Sequence, residues 1–149
     1  MSPEAQFDKP TITAKLKRIH KNHWKTAYEK LLKKAYNLRQ KLQERGEEHD
    51  LETTIETGDL HQLLHSTYGQ PCPYCKAQLK YQNMSCDHIV PLEQGGTNNL
   101  QNLRVVCKRC NTRKGPLTHQ EYTTLLRFLQ TMPALSRSYV LRKLAKGDY

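Results

Sequence analysis

The sequence predicts an α+β fold: a small strand-loop-strand-helix module with α-helices on both flanks. Three observations carry that expectation. Two Cys-x-x-Cys pairs, Cys72/Cys75 in "PCPYC" and Cys107/Cys110 in "CKRC", stand thirty-two residues apart. Short strand-like stretches lie between them, around a polar loop containing Gly95 and Gly96. On either side, apolar residues recur at helical rather than alternating spacing.

The elements follow in chain order. Residues 11–45 hold eleven of the twenty-four Lys and Arg against only Glu29 and Glu44. Within that block Leu16, Ile19, Trp24, Ala27, Leu31, Ala35, Leu38 and Leu42 recur in steps of three to five, the stripe of an amphipathic helix. Gly46 is the expected stop. The stretch "GEEHDLETTIETGD" then carries six acids and no Lys or Arg, and reads as a linker. Asp59 is placed to cap a short helix, "LHQLLHS". In the middle, "NMSCDHIVP" reads as a strand ending at Asp87-His88, and "LEQGGTNN" as a reversal suited to unusual backbone angles. "LRVV" is the second strand and "CKRCNTRKG" a helix starting at the second cysteine pair. Thr118 and Glu121 have capping-box spacing at the head of another helix. Pro133 ends it, and "ALSRSYVLRKLAK" follows as a last basic helix. The chain thus divides into a basic helical arm (1–45), an acidic linker with a short helix (46–69), the central module (70–117) and C-terminal helices (118–149).

A net charge of +10 over 149 residues points to a polyanionic partner, nucleic acid before anionic membrane surface. No run of apolar residues is long enough to span a membrane, and "MSPEAQFDKP" lacks the apolar core of a secretory signal. A cytoplasmic protein is expected, and in that reducing setting cysteines serve metals rather than disulfides. Tetrahedral zinc takes four thiolates, and an x-x spacer lets both cysteines of one turn reach a single ion. Cys72, Cys75, Cys107 and Cys110 are therefore expected to hold a structural Zn²⁺, which fixes the ends of the segment between them. Cys86 is left over as a small buried residue. His61 and His65, four apart, read as packing or surface histidines because four thiolates already complete the coordination sphere. A redox role for the Cys-x-x-Cys pairs fails, since no thioredoxin-like βαβ pattern surrounds either.

The order Asp87-His88, Gly95-Gly96, Asn102-Leu103, Cys107-x-x-Cys110-Asn111-x-x-Lys114 closely resembles the HNH endonucleases of the ββα-metal (His-Me finger) superfamily, in their four-cysteine zinc form. The resemblance covers about residues 70–116. It implies that His88 is the general base, that Asp87 and Asn111 ligate a catalytic divalent cation, and that Asn102 is the central Asn that ties the loop and helps hold His88. With Asn rather than His at position 111 the chain is an H-N-N variant. The implied activity is metal-dependent hydrolysis of DNA phosphodiester bonds, on double-stranded DNA, by nicking or double-strand cleavage.

The chemistry supports these roles. A phosphodiester repels hydroxide, so hydrolysis needs a cation on the phosphate and a base for water. Neutral imidazole accepts a proton at physiological pH. A hard cation, Mg²⁺ or Mn²⁺, prefers oxygen ligands and keeps several waters, so one carboxylate and one carboxamide suffice as anchors. Adjacent strand residues point to opposite sides, so Asp87 and His88 share a site only if the strand ends there. Arg104, Lys108, Arg109, Arg113 and Lys114 crowd the same unit and are candidates for phosphate contacts. Asn98 and Asn99 read as turn residues, and His119 as a weak candidate for a substrate contact. One active site cuts one strand, so double-strand cutting would need a homodimer or two events. The competing class is a zinc-dependent nucleic-acid-binding module without catalysis, which explains the cysteines and the charge but not the Asp87, His88, Asn102, Asn111 set.

Overall fold

A computed structural model describes residues 24–146. The order of elements is α1 (Trp24–Glu48), α2 (Thr57–Thr67), β1 (Met84–His88), β2 (Leu103–Cys107), α3 (Lys108–Lys114), α4 (His119–Gln130) and α5 (Ala134–Leu144), with short 3₁₀ turns at Leu92–Gln94 and Leu100–Asn102. β1 and β2 form one antiparallel hairpin whose register runs from Met84 opposite Cys107 to His88 opposite Leu103. This is the α+β architecture expected from the sequence. Leu16, Ile19, His20 and His23 lie outside the described residues.

The helical stripe of the basic block is buried as its spacing dictates. Leu31, Ala35 and Leu42 of α1 join Leu60 and Leu64 of α2, and Leu103, Val105 and Val106 of β2, in one core. Each fully buried Leu contributes roughly 1.5–3 kcal/mol through the area it removes from water. His61 and His65 are buried too, packed with Tyr28 of α1, their Nε2 atoms 2.6 Å apart. They serve the α1–α2 contact, as packing histidines should.

Two helix ends differ from expectation. Gly46 does not stop α1, which continues to Glu48. Its lack of a side chain serves close packing instead: a Cβ there would lie 2.9 Å from the Leu51 carbonyl oxygen and 3.0 Å from Asn98 Nδ2. Asp59 sits inside α2 rather than before it. Its Oδ2 accepts from the Glu56 backbone N–H at 3.0 Å, satisfying a donor at the helix start. At α4 the capping box is formed as spaced: Thr118 Oγ1 accepts from Glu121 N–H, and Glu121 Oε1 accepts from Thr118 N–H. Pro133 separates α4 from α5.

Candidate active site

The first cysteine pair lies on a tight knuckle. Cys72 N–H donates to the Ala77 carbonyl, Lys76 N–H returns to the Cys72 carbonyl, and Lys76 takes a left-handed φ of 65° to close the turn. The second pair opens α3, with Cys107 at the N-cap. The four Sγ atoms lie within 4.8 Å of one another, Cys75 and Cys107 at 3.6 Å. Four thiolates about 2.3 Å from one tetrahedral ion would stand about 3.8 Å apart, so the donor set has the size and chemistry of a zinc site. Electrostatics agree. Cys72 is drawn down to about 4 by a hydrogen bond from Cys110, whereas Cys110 and Cys107 are pushed up, Cys110 first by that shared proton and Cys107 by burial. Without a cation the thiols share protons; a divalent ion would let all four ionise.

The opposite end of the hairpin carries the Asp-His step. β1 stops at His88, and Ile89 N–H donates to the Asn102 carbonyl as the chain turns away. Asp87 and His88 are both still in the ladder, opposite Arg104 and Leu103, and both line one groove at this end of the hairpin. Asn102 pins the loop that follows. Its Oδ1 accepts from Val90 N–H at 2.9 Å, and its Nδ2 donates to the Val90 and Thr97 carbonyls at 2.9 and 2.7 Å. Gly96 completes this turn because a Cβ would come within 1.9 Å of the Val90 carbonyl oxygen.

His88 is held by a residue that the sequence reading assigned to a turn. Asn98 is fully buried, and its Oδ1 lies 2.9 Å from His88 Nε2. Its Nδ2 donates to the Leu42 carbonyl and to Thr53 Oγ1, both at 2.7 Å. A backbone carbonyl can only accept, so the amide orientation is determined and Oδ1 faces the imidazole. His88 Nε2 must then carry the hydrogen, and neutral His88 keeps its lone pair on Nδ1. Burial holds the imidazole below its ordinary value of about 6.5, against the opposing pull of the Asn98 hydrogen bond and of Asp87. The neutral, proton-accepting form is favoured. Asn98 gives no sequence signal beyond its place in an Asn-Asn turn, because its partners come from residues 42, 53 and 88. Asn99, by contrast, is exposed and stands at the start of the Leu100–Asn102 turn.

Asp87 is buried, and its two oxygens have different fates. Oδ1 accepts from Lys114 Nζ at 2.9 Å, and Lys114 also donates to the His88 carbonyl at 2.8 Å. Oδ2 is buried with no hydrogen-bond partner among the described residues. Burial raises the Asp87 carboxyl above its ordinary value, and Lys114 opposes this. Asn111 Nδ2 donates to Ser85 Oγ at 2.8 Å and to the Cys86 carbonyl at 3.4 Å, which makes Oδ1 the amide atom that could ligate a cation. Ser85, Asp87 and Asn111 line the same groove. An orphaned carboxylate oxygen and a carboxamide oxygen on one wall fit a hard divalent cation.

The expected phosphate-contact residues separate. Lys114 is buried in the ion pair with Asp87 and is not available to a phosphate. Arg113 turns inward, its Nε donating to the Leu141 carbonyl at 3.2 Å and tying α3 to α5. Arg104, opposite Asp87 in the ladder, donates to His119 Nδ1 at 3.0 Å, while the Tyr74 hydroxyl lies 2.8 Å from the same nitrogen. His119 is thus engaged within the fold rather than presented to a substrate. Lys108 and Arg109 are exposed, and of the two Lys108 lines the groove. Cys86 is half-buried against the core.

The hairpin and the helix after it form a small ββα unit, with four clustered thiols at one end and the Asp-His step at the loop end. Residues 72–117 match the family model for HNH endonucleases. Over 45 residues the chain is 49% identical to the CRISPR-associated endonuclease Cas9 of Corynebacterium diphtheriae, covering 30% of this chain and 4% of that protein. Over 62 residues it is 40% identical to the CRISPR-associated endonuclease Cas9 of Actinomyces naeslundii, covering 40% of this chain and 6% of that protein. The crystal structure of the Type II-C Cas9 enzyme from Actinomyces naeslundii aligns with a TM-score of 0.34 at 21% identity, over 78% of this chain and 16% of that one. The chain thus spans only a few per cent of the length of these curated relatives. The expectation of a homodimer finds no support in these comparisons. Among the described residues no helix is long and apolar enough to cross a membrane.

Proposed function

We propose that this chain is a metal-dependent endonuclease that hydrolyses phosphodiester bonds of DNA. The observation that supports it best is the convergence of an oriented imidazole and an unpartnered carboxylate oxygen on one groove. His88 takes the proton of the attacking water at Nδ1, the nitrogen left free by the bond to Asn98. As the ring becomes positive, Asn98 Oδ1 continues to accept from Nε2, so the charged form keeps its orientation. Asp87 Oδ2 and Asn111 Oδ1 would hold Mg²⁺ or Mn²⁺, and Lys114 steadies the other Asp87 oxygen. When bound, that cation offsets charge on the scissile phosphate and the departing oxygen. Asn102 acts on the loop, keeping Val90 and Thr97 together beneath the site. Zn²⁺ on the four cysteines is structural and stands apart from the chemistry.

The test is plasmid nicking with Mg²⁺ or Mn²⁺, comparing the protein with its His88→Ala variant. Loss of the base should slow cleavage by about 10²–10⁴-fold while zinc content and melting stay unchanged. Equal cutting by both proteins would refute the assignment. DNA binding with no cutting by either would favour a binding module.

A further inference from the structure

The groove lined by His88 and Asp87 takes its walls from α1, β1 and α3. Ser85 and Asp87 are two residues apart on β1, so their side chains leave the same face of the strand. Asn111 and Lys114 are three apart on α3 and share one face of that helix. The two faces meet in two rungs, Asn111 Nδ2 to Ser85 Oγ at 2.8 Å and Lys114 Nζ to Asp87 Oδ1 at 2.9 Å. The first rung decides more than packing, because a carboxamide has only one end that ligates a cation. Turned over, it presents an NH₂ group whose hydrogens repel the ion. The Cys86 carbonyl can only accept, so its place near Asn111 Nδ2 sets the sense of the amide. At 3.4 Å that contact is too long to hold it, and the 2.8 Å bond to Ser85 supplies the strength.

We propose that Ser85 is a positioning residue for the catalytic cation, acting through Asn111 by keeping its Oδ1, rather than its Nδ2, turned to the ion that Asp87 Oδ2 also faces. This rests on the nuclease reading and supplies the group that makes an Asn usable as a ligand at position 111. One short strand then carries both a ligand, Asp87, and the orienter of the other ligand. Groups that hold a metal ligand from behind are commonly worth 10–100-fold in metal affinity. Ser85 is half-buried at the groove, opposite Val106 in the ladder, so removing its hydroxyl opens no cavity in the core.

The experiment uses the full zinc-loaded chain without DNA and reads Mn²⁺ binding from the electron paramagnetic resonance of the free ion. Ser85→Ala should weaken Mn²⁺ binding about ten-fold, whereas Ser85→Thr, which keeps the hydroxyl, should stay within about two-fold of the wild type. Zinc content and melting should be unchanged in both. Asn111→Asp removes the need for an orienter, since either carboxylate oxygen binds a cation. In that background Ser85→Ala should change Mn²⁺ affinity less than about two-fold. In plasmid nicking, Ser85→Ala should need about ten-fold more Mn²⁺ for half-maximal cutting and approach the wild-type rate at saturation. Full affinity in Ser85→Ala, an equal loss in Ser85→Thr, or a ten-fold loss that persists beside Asn111→Asp would each overturn the inference. Mn²⁺ binding in the expected pattern with no cutting removes the nuclease and leaves Ser85 as the orienter of a metal ligand. Cutting by a protein whose Mn²⁺ affinity is indifferent to Ser85→Ala does the reverse, and a wild-type protein that takes up no Mn²⁺ overturns both.

Discussion

The two ends of the β1–β2 hairpin are built by different rules. At the end away from the connecting loop, where Met84 faces Cys107, four thiols from two Cys-x-x-Cys turns gather within a few ångströms. Each pair is local in sequence, and the turn that carries the first docks on the start of α3, with Cys107 N–H donating to Cys72 Sγ at 3.4 Å. At the loop end, where His88 faces Leu103, the functional side chains are held by residues from the loop and from other elements. Asn98 orients His88 and is itself anchored on α1 and Thr53, while Lys114 at the end of α3 holds Asp87. Spacing therefore announces the thiol end, whereas the loop end depends on how separate elements pack.

This contrast can be tested at decreasing cost to the molecule. Cys107→Ser, or removal of zinc by a chelator, should have the largest effect. Structural zinc in small modules supplies about 10–16 kcal/mol of apparent binding free energy, so the hairpin and α3 should lose cooperative melting. Unchanged melting and metal content in Cys107→Ser would mean that the thiol end does not need its ion.

Lys114→Ala comes next. It leaves Asp87 buried without its counter-charge, and breaking such a pair costs about 3–5 kcal/mol. Denaturant unfolding of the zinc-loaded protein measures it, and a loss under about 1 kcal/mol would show the pair to be dispensable. Asn98→Ala should cost less, about 1–3 kcal/mol, by stripping the Leu42 carbonyl and His88 of a buried partner. Cleavage should also fall, because the imidazole is free to take the other tautomer. Asn98→Ala cutting at the wild-type rate would show that His88 is oriented by something else.

Particular residues show why parts of the site were legible and parts were not. His88, Asp87, Asn102 and Asn111 stand out because their types and intervals match a known pattern; the first three lie on β1 and the turn before β2, and Asn111 lies on α3 against Ser85. The capping box at Thr118 and Glu121 was readable because it needs only a four-residue window. Asn98 was not, since an Asn in a turn looks the same whether its amide faces water or an imidazole. Lys114 and Arg113 misled for a related reason. A basic side chain on a short helix reads as solvated or phosphate-bound, and only packing shows that one pairs with a buried carboxylate and the other binds the Leu141 carbonyl.

Residue order alone was enough for the α+β class, the cysteine quartet and the hairpin, because each rests on short-range spacing and backbone period. Packing in three dimensions chose the tautomer of His88, the partner of Asp87 and the helix face that walls the groove. Those depend on side chains dozens of residues apart meeting within hydrogen-bond reach, and a one-dimensional pattern carries no such distance.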